Sequence, residues 1–166
     1  MCVGLPRQFD CWVTDDDENA PWMFVLQGLT GTGKPMIVYT VCRVVKEHGW
    51  LGASFFFSWN DASSSNLFLF FTTIAYQLAI KYPHFQHSLH KILKTDPDVV
   101  RLTLDRQLKK LVVEPIHAVV DHMSPTPIVV IVDAVDECAN YRAQIFALLC
   151  TICTQLPISF KLLFSF

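Results

Sequence analysis

The sequence predicts an α/β fold, a parallel sheet with helices on both faces, and three observations predict it. Short apolar runs alternate with stretches of helical periodicity along the chain. One run, Pro127-Ile128-Val129-Val130-Ile131-Val132-Asp133, is β-branched and uninterrupted, the pattern of a strand buried on both faces. Strands that alternate with helices need crossover connections, which make neighbouring strands parallel and are almost always right-handed.

The elements follow in order. Residues 1–21 read as a lead-in, because Asp15-Asp16-Asp17-Glu18 with Asn19 and Pro21 is charged and turn-prone. The domain proper is expected over 22–166. Trp22 to Leu26 is a continuous apolar run and reads as a buried first strand. From about Met36 to His48, Ile37, Val41, Val44 and Val45 share one helical face, and Gly49 stops it. Ala53 to Ser58 is the second strand. Leu67, Phe71, Ile74, Leu78 and Tyr82 recur at helical spacing up to Pro83, and a short helix is expected over 84–95. Another begins near Thr103, with Leu104, Leu108, Leu111 and Val112 on one face, and Pro115 should kink or break it. After the strand ending at Asp133, Ile145, Leu148, Leu149, Ile152 and Leu156 form a last helical stripe closed by Pro157. Ile158 to Phe164 is the final strand.

Composition bounds the function. The chain has 166 residues, the size of one ordinary domain, and 52% are hydrophobic. With mean hydropathy +0.35 it can bury enough apolar surface to offset chain entropy. A net charge of −2 argues against a mainly electrostatic binder of nucleic acid or of an anionic membrane. The longest greasy stretch, Leu67 to Ile80, carries Thr72, Thr73 and Gln77 and is shorter than the ~20 residues a membrane span needs. The first residues lack the apolar core of a secretory signal, so the expected location is the cytoplasm, and the six cysteines read as free thiols.

Ligands in parallel sheets bind beyond the carboxyl ends of the strands, and the chemistry-bearing residues fall there. Directly after the first strand stands Gly28-Leu29-Thr30-Gly31-Thr32-Gly33-Lys34-Pro35. It matches the phosphate-loop pattern G-x-x-x-x-G-K and departs only at the final Ser or Thr. Glycines let the backbone approach a ligand, successive N–H groups form an anion nest, and the following helix adds its positive end. Lys34 would reach the outer phosphates. The bare pattern arises by chance in roughly one chain in twenty of this length. The third glycine, the strand before and the helix after make it more specific here. The second cluster is Asp133, which ends the clearest strand, followed by Asp136 and Glu137. A carboxylate at that strand end can hold Mg²⁺ through water, and a second one can orient an attacking water.

The pairing of Gly28–Lys34 with Ile131-Val132-Asp133-Ala134-Val135-Asp136-Glu137-Cys138 resembles the NACHT branch of the signal-transduction P-loop NTPases (STAND class). Gly52 to Ser58, Thr73-Ile74-Ala75-Tyr76-Gln77-Leu78 and Val113-Glu114-Pro115 narrow it to fungal proteins whose NACHT region is called a nephrocystin-3-like N-terminal domain. The resemblance runs from about Cys11 to Leu163. It implies a P-loop sheet in the order 2-3-4-1 and a nucleotide-dependent switch that binds ATP, or GTP, with Mg²⁺. It also implies partners among homo-oligomer copies or other domains of a larger protein. By match of motif, Gly28, Leu29, Thr30, Gly31, Thr32, Gly33 and Lys34 would bind phosphate. Asp133 would coordinate the metal, and Asp136 or Glu137 would position water.

The sequence departs from the family pattern in three places. Pro35 replaces the expected Ser or Thr, which removes a metal-ligating hydroxyl and a nest N–H and should push Lys34 away from helical dihedrals. One hydrogen bond to a charged group is worth about 1.5–3 kcal/mol, or about 10- to 150-fold in affinity, so weak nucleotide binding and poor hydrolysis are expected. Trp59 stands where relatives commonly carry Arg. Ser165-Phe166 stand where relatives continue into a Ser-Arg-Pro segment with a phosphate-sensing Arg. The reading is therefore of a C-terminally truncated domain without the fifth strand, whose first strand becomes an exposed apolar edge.

Other constellations read as structural. His84, His87 and His90 should face solvent, Cys150 and Cys153 should be small buried hydrophobes, and the Phe residues of 55–57 and 68–71 should be core. Asp61 to Asn66 is Ser-rich and reads as a loop. Two functions compete: a weakly ATP-binding switch module, and a scaffold or interaction remnant that binds no nucleotide. A small-molecule kinase is disfavoured by the Asp136-Glu137 doublet.

Overall fold

The computed structural model describes residues 5–17, 20–28, 33–58, 67–122, 126–137, 142–157 and 159–166. Among the described residues its sheet has four strands, β1 (Met23–Leu26), β2 (Leu51–Phe56), β3 (Ile128–Asp133) and β4 (Phe160–Ser165), in the order β1-β4-β3-β2. All three pairings are parallel. Read from the other edge, this is the expected 2-3-4-1. The helices are α1 (Leu5–Thr14), α2 (Lys34–Glu47), α3 (Phe68–Lys81), α4 (Pro83–Thr95), α5 (Leu104–Leu108), α6 (Glu114–His117) and α7 (Arg142–Gln155).

Strand alternation explains how the sheet carries two cores. Successive side chains point to opposite faces. Ile128, Val130 and Val132 of β3 join the larger core with Phe160, Leu162 and Phe164 of β4. There they meet Phe70, Phe71 and Leu78 of α3, with α4 to α7 behind. Val129 and Ile131 face the other way, with Leu163, onto Val38, Val41 and Val45 of α2. The continuous apolar run of β3 is therefore what a strand covered on both faces requires.

The lead-in is more than a linker. Phe9, Trp12 and Val13 lie at helical spacing, and α1 buries them against α2 and the sheet. The Trp12 ring meets Phe24 of β1 at 5.3 Å, and its Nε1–H donates to the Pro21 carbonyl at 2.5 Å. Asp15, Asp16 and Asp17 are exposed, as expected. The Asp15 carbonyl, however, accepts from Lys161 Nζ at 2.9 Å, tying the end of α1 to β4.

Three other expectations need correction. β1 is an edge strand, so it is only half-buried, with Val25 40% exposed. Phe56, Phe68 and Leu69 are exposed while Phe55, Phe57, Phe70 and Phe71 are buried, because strand and helix periodicity turns alternate members of an apolar run outward. Pro115 does not stop the helical run but follows an irregular turn within it. The chain widens into a π turn over Lys109–Val113, where Glu114 N–H reaches back to the Lys109 carbonyl, and Pro115 enters α6 in its first turn. A proline has no N–H to give the preceding turn, and the wider turn absorbs that loss. Among the described residues, no helix is long and apolar enough to cross a membrane.

Candidate functional site

The carboxyl rim of the sheet is built from three strand ends. The register pairs Leu26 of β1 with Ser165 of β4, and Val132 of β3 with Phe164. Ser165 therefore lies between the end of β1 and Asp133. Its hydroxyl donates to Asp133 Oδ1 and accepts from the Ala134 N–H at 3.3 Å. Ser165 is 1% exposed, so this hydroxyl holds the carboxylate from a dry position. Motif reasoning did not single out Ser165 for this role. Its partner is 32 residues away on another strand, and a serine ending an apolar run carries no signal of its own.

Asp133 occupies the outward step of β3 that continues Val129 and Ile131, the face covered by α2. The electrostatics agree: burial, and next the Asp133 charge, push the Cys42 thiol of α2 up from its ordinary range. After Asp133 the chain leaves the sheet through Ala134, whose φ of 57° is in the left-handed region that L-residues seldom take. Val135–Glu137 then form one 3-10 turn, with Val135 buried, Asp136 exposed and Glu137 half-buried. The three predicted carboxylates thus sit on one short segment at one rim.

The glycine-rich connection leaves β1 at the same rim. Gly28 is half-buried, and Leu29, Thr30, Gly31 and Thr32 lie outside the described residues. Gly33 caps α2 with φ 80° and ψ 18°. A Cβ there would touch nothing within 4 Å, so glycine is required by the backbone angle and not by space. The Gly33 carbonyl accepts from Met36 N–H at 3.0 Å and Ile37 N–H at 3.2 Å, which closes the first turn of α2. Lys34 is the first helical residue and Pro35 sits in that first turn. The expected displacement of Lys34 from the helix is not seen: Lys34 opens α2, directly after the left-handed Gly33. Lys34 Nζ donates to the Gly28 carbonyl at 2.6 Å, bracing the helix start against the strand end. Among the described residues, no ion pair joins Lys34 to Asp133.

His84, His87 and His90 are exposed on α4, and His84 stacks on His122 at 5.5 Å. Cys150 is a half-buried free thiol, and the Cys153 side chain lies outside the described residues, as do Trp59 and Asp61 to Asn66. No group of three metal-ligating side chains gathers among the described residues. A groove of about 270 Å³ opens between α3 and α4 and is lined by Thr72, Tyr76, Leu89 and Leu93 among others.

Comparison with curated proteins and with solved structures returns no match. A family model does match: the one described as Nephrocystin 3, N-terminal, over residues 6–165. That span runs from the first turn of α1 to the last residue of β4 and contains the whole rim just described. The helix that reads as a lead-in is inside it too. The chain belongs to the nephrocystin 3, N-terminal, family.

Proposed function

We propose that this domain is a NACHT-type nucleotide switch module that takes ATP, or GTP, with Mg²⁺ at the carboxyl rim of its sheet and turns it over poorly or not at all. One observation carries the reading. The Gly33–Lys34 helix start that follows β1 and the Asp133 carboxylate that ends β3 lie on the same rim, where Ser165 pairs with the end of β1 and holds Asp133.

The residues present fit a polyphosphate in part. The Lys34 ammonium already donates to a backbone oxygen, and a phosphate oxygen would offer it the same kind of acceptor with a full charge. The N-terminal end of α2 favours an anion there. The carboxylate of Asp133 is the oxygen ligand that suits Mg²⁺, which when bound would neutralise charge on the outer phosphates. Ser165 fixes the direction of that carboxylate. Asp136 or Glu137 would orient water, Asp136 from a fully exposed position and Glu137 from a half-buried one. Gly28, Leu29, Thr30, Gly31, Thr32 and Gly33 would supply backbone donors.

Pro35 works against this set. It gives neither a hydroxyl to a metal nor an N–H to a phosphate. A scaffold that binds no nucleotide is the second reading, and the Lys34–Gly28 contact favours it by closing the helix start on itself. A thermal-shift titration with ATP and ADP plus Mg²⁺ separates the two, because a ligand of the folded state raises the midpoint as its concentration rises. The switch reading expects a shallow rise for the parent chain. It expects affinity about 10- to 150-fold tighter for Pro35→Ser, the return of one hydrogen bond to a charged group. A flat response from both chains would leave only the scaffold.

A further inference from the structure

Among the described residues β2 is an edge strand, pairing only with β3. Edge strands expose a row of backbone donors and acceptors that a second chain can pair with. Phe57 N–H donates across the ladder to the Asp133 carbonyl, so by alternation the backbone groups of Ser54 and Phe56 turn outward, away from β3. The outward groups of Ser54 are taken. The Gln77 side chain of α3 accepts from Ser54 N–H at 2.9 Å through Oε1 and donates to the Ser54 carbonyl at 2.8 Å through Nε2. One turn later on the same helix, Lys81 Nζ donates to the Leu51 carbonyl at 2.6 Å and to the Gly49 carbonyl.

We propose that Gln77, with Lys81 beside it, acts as a surrogate strand that closes the β2 edge against pairing with a second copy of this chain. A primary amide carries one donor and one acceptor side by side, as a peptide group does, so it satisfies both groups of one edge residue. Gln77 reaches across from α3 to make both bonds. Lys81 adds a cation, which a pairing strand would have to displace. The four-residue spacing of Gln77 and Lys81 puts both on the helix face that overhangs the edge. Gln77 thus belongs in the Ala75-Tyr76-Gln77 segment for a reason of sheet chemistry and independently of any nucleotide.

Residue-resolved hydrogen exchange on the parent chain, with sedimentation of the parent and of Gln77→Met, tests this. In the parent chain the Ser54 amide should exchange more slowly than the Phe56 amide, although both face outward. In Gln77→Met the Ser54 amide should exchange about fivefold faster, the worth of one net hydrogen bond. That variant should also form larger species as concentration rises, with the Phe56 amide becoming protected in them. Equal exchange at Ser54 and Phe56 in the parent overturns the proposal even if the variant does not fold. So does a folded Gln77→Met with parental exchange and parental sedimentation.

Discussion

Gly52 of β2 offers a direct test of how tightly the larger core is packed. A Cβ built on Gly52 would lie 2.6 Å from Ile128 Cγ2, 3.2 Å from Leu78 Cδ2 and 3.5 Å from the Val129 carbonyl oxygen. The first distance is well inside contact, and the methyl it meets is attached directly to the Ile128 Cβ. It moves only if χ1 rotates or the strand shifts, and Ile128 is a stiff β-branched residue that is 3% exposed. Leu78 Cδ2 is the end of a longer side chain and can yield. Gly52→Ala should therefore cost what overpacking costs, about 1–3 kcal/mol. For a chain of this size that lowers Tm by about 2–12 °C. Urea unfolding measures it, with a lower midpoint and an unchanged slope expected. Ile128→Ala removes the clashing methyl. Alone it should cost about 2–5 kcal/mol, and less on the Gly52→Ala background, because the new methyl fills part of the space left. Additivity of the two single changes within about 0.5 kcal/mol would refute the packing argument.

Two further predictions concern the opposite face and alkaline stability. Phe9 is 1% exposed and lies between Trp12 at 5.3 Å and Phe24 at 5.9 Å, so Phe9→Ala should destabilise the whole domain by about 3–5 kcal/mol. A change below about 1 kcal/mol in urea unfolding would mean that α1 does not share the core. Burial pushes the Tyr82 phenol up to about 12 from 10.0. Between those values the unfolded chain releases a proton that the folded chain keeps. The contribution is complete below pH 10 and is lost as pH climbs towards 12. The stability of the parent relative to Tyr82→Phe, followed by unfolding across that window, should fall as pH rises. A constant difference would refute it.

The sequence made the order of elements readable because periodicity records which faces are covered. A continuous β-branched run marked β3 as a strand with two covers, and spacing along α2, α3 and α7 marked one apolar stripe each. Gly33 was legible as a turn residue, and its φ of 80° gives the reason. Reading failed where two features competed for one segment. The acidic run at 15–18 drew attention from Phe9, Trp12 and Val13, which carry α1 into the core. It also failed where an apolar run was longer than the face it had to cover, as at Phe56 and Phe68.

The chain's own letters thus determined the fold class and the order of its elements, and they put a glycine-rich loop after β1 and a carboxylate at the end of β3. Those are local patterns, set by spacing of two or about 3.6 residues and by residue chemistry. Only tertiary structure decided that Ser165 holds Asp133, that Lys34 braces Gly28, that Lys161 anchors Asp15 and that Gln77 closes the edge at Ser54. Three of these four contacts join residues from 23 to 146 positions apart, and the fourth spans a loop. No local pattern encodes them. Parallel crossovers bring distant strand ends to one rim, and only there do the side chains meet.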